Sequence, residues 1–205
     1  MALRRHSPDR RGAGTRPARR GAAALAVLLM ATAGCTDAGD PDEHEPPESV
    51  ALQLETVSGA DDLDRAALTE VEDEVGDVLS QYVADGFLGT YPRGDFVRAY
   101  DSFSEGLVPE AARDLDILTA AGFADAESVR ATKLDARLSL LAPDGEVIGA
   151  SAAVRLVFEA TLPGGETRPI ALRGRLLLEK QDGEWSVFGY DVRRRGDAAV
   201  AGEVS

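Results

Sequence analysis

The chain has 205 residues, 36 of them acidic and 22 basic, with two histidines and a single cysteine. That length suits one folded domain with appendages, and a lone cysteine excludes an intramolecular disulfide and any multi-cysteine metal centre. Charge is unevenly spread: residues 1–35 carry seven arginines and one acid, leaving 15 basic and 35 acidic residues in 36–205. Such a body is a poor ligand for nucleic acid or a bare anionic membrane, and its charge keeps it soluble.

The first element is a leader. Seven arginines up to Arg20 precede the apolar run Gly21–Ala31, then the small residues Thr32, Ala33 and Gly34, then Cys35. The apolar run has the length of a signal-peptide core and is far shorter than the roughly 20 residues that span a bilayer. Basic, apolar, small and Cys in that order resembles the lipobox of bacterial lipoproteins, with Thr32 standing where the family usually has Leu. The resemblance implies that the leader 1–34 is removed and that Cys35 is lipidated and becomes the first mature residue. Two acyl chains at Cys35 would anchor the protein stably to the extracytoplasmic face of the cell membrane. The pair Arg19-Arg20 leaves both the general secretory and the twin-arginine export routes open.

Residues 35–49 follow as a tether. The stretch 36–49 has six acids, three prolines and no bulky apolar side chain, a composition that cannot bury a core. At roughly 5–6 Å × √n it would reach about 20 Å.

From residue 50 the hydrophobic pattern becomes regular. Ala51–Val57 alternates weakly, like a short strand. Leu63, Ala67, Val71, Val75, Val78, Leu79, Tyr82 and Val83 then recur at helical spacing, behind Asp61, Asp62 and Asp64, which suit a helix N-terminus. Glu70, Asp73, Glu74 and Asp77 mark the opposite face, expected to be solvated. Arg93-Gly94-Asp95 reads as a turn into a short helix that Asp95 caps, with Phe96, Tyr100 and Phe103 on its inner side. A further helix is expected from Pro109, in its first turn, to Gly122, at its C-cap.

After Phe123 the period switches to two. Leu134, Ala136, Leu138 and Leu140 share one strand face, and Ile148, Ala150, Ala152, Val154, Leu156, Phe158 and Leu162 another. Turn signals at Pro143-Asp144-Gly145, Pro163-Gly164-Gly165 and Asp182-Gly183 separate four strands, and loops this short join antiparallel neighbours. Arg137, Arg155, Glu159, Arg173, Arg175 and Glu179 fit cross-strand charge pairs on the exposed face. Helices followed by strands give the fold class α+β: N-terminal helices packed on a curved four-stranded antiparallel sheet.

This order, with the closing strand GEWSVFGYDV, resembles the NTF2-like, cystatin-like cone over 50–195, with 196–205 left as a polar tail. The whole chain is also similar to small actinobacterial lipoproteins. The fold resemblance implies a pocket between helices and sheet, with Asp95, Tyr100, Asp101, Tyr190 and Asp191 as its candidate residues. Both histidines, His6 and His44, precede the folded body, so Ser–His, Cys–His and His–metal chemistry have no residues there. The tyrosines also read as core aromatics with satisfied hydroxyls. No metal or cofactor is implied and no catalytic residue is assigned. The expectation is a non-catalytic binding module, its partner a small molecule or an envelope protein, or a second copy of the chain. The alternative is an isomerase- or dehydratase-type enzyme using a buried Asp with Tyr.

Overall fold

A computed structural model describes residues 49–195. The leader, Cys35, the tether up to residue 48 and the tail 196–205 lie outside the described residues. The architecture is α+β. Strand β1 (Gln53–Ser58) is followed by helix α1 (Arg65–Phe87) and a run of short helical segments, and then by β2 (Ser128–Leu141), β3 (Gly149–Thr161), β4 (Thr167–Gln181) and β5 (Glu184–Arg195).

The sheet has five strands in the order β1-β2-β3-β4-β5, not the four expected. The added strand is the weak alternation of residues 51–57. It runs parallel to β2, Leu54 opposite Ala136 and Thr56 opposite Leu138, while the other pairings are antiparallel. A parallel neighbour needs a long crossover, and the helical stretch supplies it. With six residues and only alternate positions shielded, β1 carries little hydrophobic signal of its own.

Helix α1 starts where the sequence indicated. Asp64 is extended and its carboxylate accepts from the Ala67 N–H at 2.8 Å, satisfying one of the free donors of the first turn. At the other end four carbonyls need partners, and each has one. Arg93 donates to the carbonyls of Asp85 and Leu88, the Ala120 N–H to Gly86, and the Tyr91 hydroxyl to Phe87. The guanidinium also lies 4.4 Å from the centre of the Phe96 ring. The tripeptide Arg93-Gly94-Asp95 is therefore a helix stop, with Arg93 as its working residue.

Two helical expectations are corrected. Residues Val97–Ser102 form a 3-10 helix with no side-chain cap at Phe96; Asp95 instead accepts from the Val97 N–H at 3.2 Å. The stretch from Pro109 to Gly122 is four short pieces: α2 (Val108–Ala111), a 3-10 turn (Ala112–Asp114), α3 (Leu115–Leu118) and a second 3-10 turn (Ala121–Phe123). Pro109 does sit in the first turn of α2, but Gly122 caps nothing. Side chains take the carbonyls a continuous helix would use. Tyr100 binds the Ala111 carbonyl, the Thr119 hydroxyl binds that of Leu115, and Arg194 binds those of Asp116 and Thr119. Such bonds compete with the helical ladder.

The core lies between α1 and one face of the sheet. Val71, Val75, Leu79, Tyr82, Val83 and Phe87 of α1 are buried against Leu134, Ala136, Leu138, Leu140, Ala152, Val154, Leu156 and Phe158. At its centre Phe87 stacks on Phe158 with ring centres 4.3 Å apart, and Tyr82 touches Phe87 and Phe103. Ile148 departs from its expected inward position: it precedes β3 and is exposed.

Candidate functional site

Strand alternation decides where the sequence-derived residues go. Tyr190 and Asp191 are neighbours on β5 and point to opposite faces. Tyr190 pairs in register with Leu176 on the helix side, and Asp191 with Arg175 on the outer side. The five candidates therefore form no single pocket. Tyr100 and Tyr190 belong to the helix side of the sheet. Asp101 is exposed in a groove between α1 and the start of β5, which Asp77, Gln81, Ser102 and Trp185 also line. Asp95 is exposed and spent on its own turn. Asp191 stands alone on the outer face.

On the helix side the tyrosines brace the fold. Tyr82, buried, donates to the Leu118 carbonyl at 2.5 Å, and Tyr100 to the Ala111 carbonyl at 2.8 Å. Tyr190, half-buried, donates to the Asp114 carboxylate at 2.7 Å. Among the described residues Asp114 is the carboxylate bonded to a tyrosine, and it was not among the expected residues. It falls inside a stretch that reads as continuous helix, where an acid looks like surface.

Burial, with help from the carboxylates of Asp114 and Asp116, pushes Tyr100 up to about 12. Burial and the bond to Asp114 push Tyr190 up further, and burial does the same to Tyr82. Each hydroxyl thus keeps its proton at neutral pH. A general acid or base works best with a pKa near the operating pH, and these shifts move the tyrosines the other way.

Glu74 corrects the expected polar face of α1. Glu70, Asp73 and Asp77 are exposed, but Glu74 accepts from Lys180 Nζ at 2.7 Å and Trp185 Nε1 at 2.8 Å. The bond from Lys180, opposed by desolvation and aided by Trp185, holds its carboxyl below the ordinary range. Glu74 pins the helix to the β4–β5 hairpin and gives the indole N–H the partner that a buried Trp requires.

The outer face of the sheet is different. Arg173 of β4 lies directly between Arg155 of β3 and Arg193 of β5. In the next row Arg175 lies between Ala153 and Asp191. Arg130 and Glu159 pair across β2 and β3 at 2.6 Å, whereas the central row sets three like charges side by side. A cleft of about 360 Å³ opens here, lined by Ala153, Arg173, Gly174, Arg175, Asp191, Arg193 and Arg195.

Gly174 helps to make the cleft. Its φ is +146°, and a Cβ there would lie 2.0 Å from the Asp191 carbonyl oxygen, so only glycine fits. Among the described residues no group of three His, Cys, Asp or Glu side chains is placed to hold a metal ion. Nor is any helix among them long and apolar enough to cross a membrane.

No known protein family matches the sequence, and no curated protein does. Among solved structures the chain is similar to one described as a calcium/calmodulin dependent protein kinase II association domain from Xanthomonas campestris. The identity is 15%, the match covers 70% of this chain and 95% of that one, and the TM-score is 0.37. At that level it is a loose likeness and carries no function across.

Proposed function

We propose that the chain is a lipid-anchored, extracytoplasmic binding module with an NTF2-like domain and no catalytic activity of its own. One observation carries the non-catalytic part: on the helix side, where an enzyme of this shape would hold its reacting groups, the polar side chains are committed to structure. Tyr82 and Tyr100 are bonded to backbone carbonyls, and aromatic rings pack beside them, Phe87 and Phe103 against Tyr82 and Phe103 against Tyr100. The NTF2-like assignment is supported by the order of elements, helices before a long antiparallel hairpin series. Arginines, an apolar run, small residues and Cys35 support the anchor.

The alternative, a dehydratase- or isomerase-type enzyme, would draw on Tyr190 with Asp114. The raised pKa of Tyr190 opposes its use as a base. Two experiments test the proposal. Mass spectrometry of the mature N-terminus should find a diacylated Cys35; an unmodified start elsewhere rejects the anchor. Incubation with panels of enolisable and hydroxyacyl compounds should show no turnover. Turnover that Tyr190→Phe abolishes would replace the module with the enzyme.

A further inference from the structure

The groove beside Trp185 is walled by three elements. Helix α1 supplies Asp77, Val78 and Ala84, the 3-10 helix Val97–Ser102 supplies Asp101 and Ser102, and β5 supplies Trp185. Its volume of about 630 Å³ lies in the range of small-ligand sites. No basic side chain is among its lining residues. Asp77 and Asp101 are exposed, and among the described residues neither carboxylate has an ion pair or a hydrogen bond.

The groove also holds an unused polar group. Ser102 is only 8% exposed, and a hydroxyl buried that far ordinarily has a partner. Thr119, also buried, gives its hydroxyl to the Leu115 carbonyl and takes the Ala121 N–H. Among the described residues the Ser102 hydroxyl has no such bond, and the surface it retains faces the groove. A buried polar group left unbonded costs free energy, which a donor lying in the groove would recover. Trp185 is the converse case. Its indole N–H is taken by Glu74 at 2.8 Å, so toward the groove it offers ring surface alone.

Such a groove suits a ligand that is positive, donates hydrogen bonds and carries apolar surface. A metal ion does not fit, since among the described residues no three His, Cys, Asp or Glu side chains are grouped to hold one. A quaternary ammonium has no N–H for Ser102. A primary ammonium has three donors, and its alkyl stem matches the ring of Trp185. We propose that this groove binds a primary alkylammonium group, with Asp77, Asp101 and Ser102 as its polar ligands and Trp185 and Val78 against its stem. The inference rests on the binding-module reading and names its ligand class. The group belongs either to a free amine or to a lysine of a partner, and the chemistry at the groove is the same for both.

Trp185 is the only tryptophan of the chain, so tryptophan emission reports on the groove. The full chain should be titrated with putrescine at an ionic strength held constant with sodium chloride. A saturable change in emission is expected, matched by calorimetry, that tetramethylammonium and succinate do not give. The double variant Asp77→Asn/Asp101→Asn should weaken binding by more than about tenfold, with an unchanged circular dichroism spectrum. Ser102→Ala should weaken it by about threefold or more without lowering the melting temperature, because the hydroxyl has no bond in the fold to lose. A purely structural serine would show the reverse. Glu146→Gln, at an exposed acid outside the groove, should leave binding unchanged.

A second arm repeats the titration with a short lysine peptide blocked at both ends. Tighter binding of the peptide, lost in the double variant, assigns the ammonium to a partner's lysine; tighter binding of putrescine assigns it to a free amine. Binding of neither probe, binding that the double variant retains, or an equal response to tetramethylammonium overturns the site and leaves the binding module intact. Turnover lost in Tyr190→Phe overturns the module instead. Tyr190 does not line this groove, so the two failures are told apart.

Discussion

The two faces of the sheet are built from the same strands, residue by residue in alternation, yet they obey different rules. On the helix side each position is chosen for fit: Phe158 and Leu156 are buried, and so are Leu172, Leu176 and Leu178. On the outer side Arg155, Arg173 and Arg193 crowd one another across three strands. One face lowers its free energy by contact and exclusion of water; the other sets three guanidinium groups in one row across neighbouring strands. Apolar packing therefore resides on the helix side, and the outer face carries the arginine row of the sheet.

The sharpest way to break that comparison is to remove a large side chain from the inner face. Phe158→Ala takes away the ring stacked on Phe87 and leaves a cavity in a site that cannot collapse freely. A loss of about 3–5 kcal/mol is expected in urea unfolding. A loss below about 1 kcal/mol would mean that the helix–sheet interface is not the core.

The next largest effect is expected at the boundary of the two faces. Gly174 carries positive φ and sits against the Asp191 carbonyl, so Gly174→Ala must both strain the backbone and push β4 from β5. The expected cost is about 2–3 kcal/mol in urea unfolding. Retained stability would show that the close approach of the two strands is not required.

Much of this division can be read from the sequence, and the part that cannot has a physical reason. The period-two runs of β2 to β5 gave strand identity, and those of β2 and β3 gave the inner face apart from Ile148, because a half-buried strand writes its burial into alternate residues. The inward face of α1 and its acidic start at Asp61, Asp62 and Asp64 were equally legible, while the choice of Asp64 as the cap came from the structure. Strand β1 was visible only as a weak alternation, and its place in the sheet depends on pairing with β2 far along the chain. The break-up of residues 108–123 depends on Tyr100 and Arg194 reaching in from elsewhere, which no local pattern records. The candidate residues were split for the same reason. Tyr190 and Asp191 look like one site in the sequence, and adjacency on a strand guarantees that they are not.

A smaller effect tests whether the tyrosines of the inner side are braces. Tyr82→Phe removes the buried hydroxyl that satisfies the Leu118 carbonyl, at an expected cost of about 1–2 kcal/mol. All four tyrosines have raised pKa values, about 12 for Tyr91 and Tyr100, against about 10 in an unfolded chain. The neutral form is thus favoured on folding. Its contribution is fully present below pH 10 and is lost as pH rises toward 12, because the unfolded chain gives up its phenolic protons first. Absorbance at 295 nm should accordingly show little tyrosinate up to about pH 11 while the protein stays folded. A tyrosine that ionised near pH 8 without unfolding would instead be available for acid–base work and would favour the enzyme reading.

The smallest expected effect has the opposite sign, and for that reason it separates the faces most cleanly. Arg193→Thr leaves a good strand former in β5 and removes one of two like charges that face each other across β4 and β5. The variant should gain a few tenths of a kcal/mol at low salt. The gain should vanish near 1 M sodium chloride, where screening reaches only about 3 Å. A comparable truncation on the inner face can only lose stability, since it removes contacts and excluded water. If Arg193→Thr is destabilising at every salt concentration, the guanidinium belongs to the packing of the sheet and the outer face is held by the same rule as the inner one. If it is stabilising at low salt and neutral at high salt, Arg193 acts on the sheet through charge alone, and the two faces obey different rules.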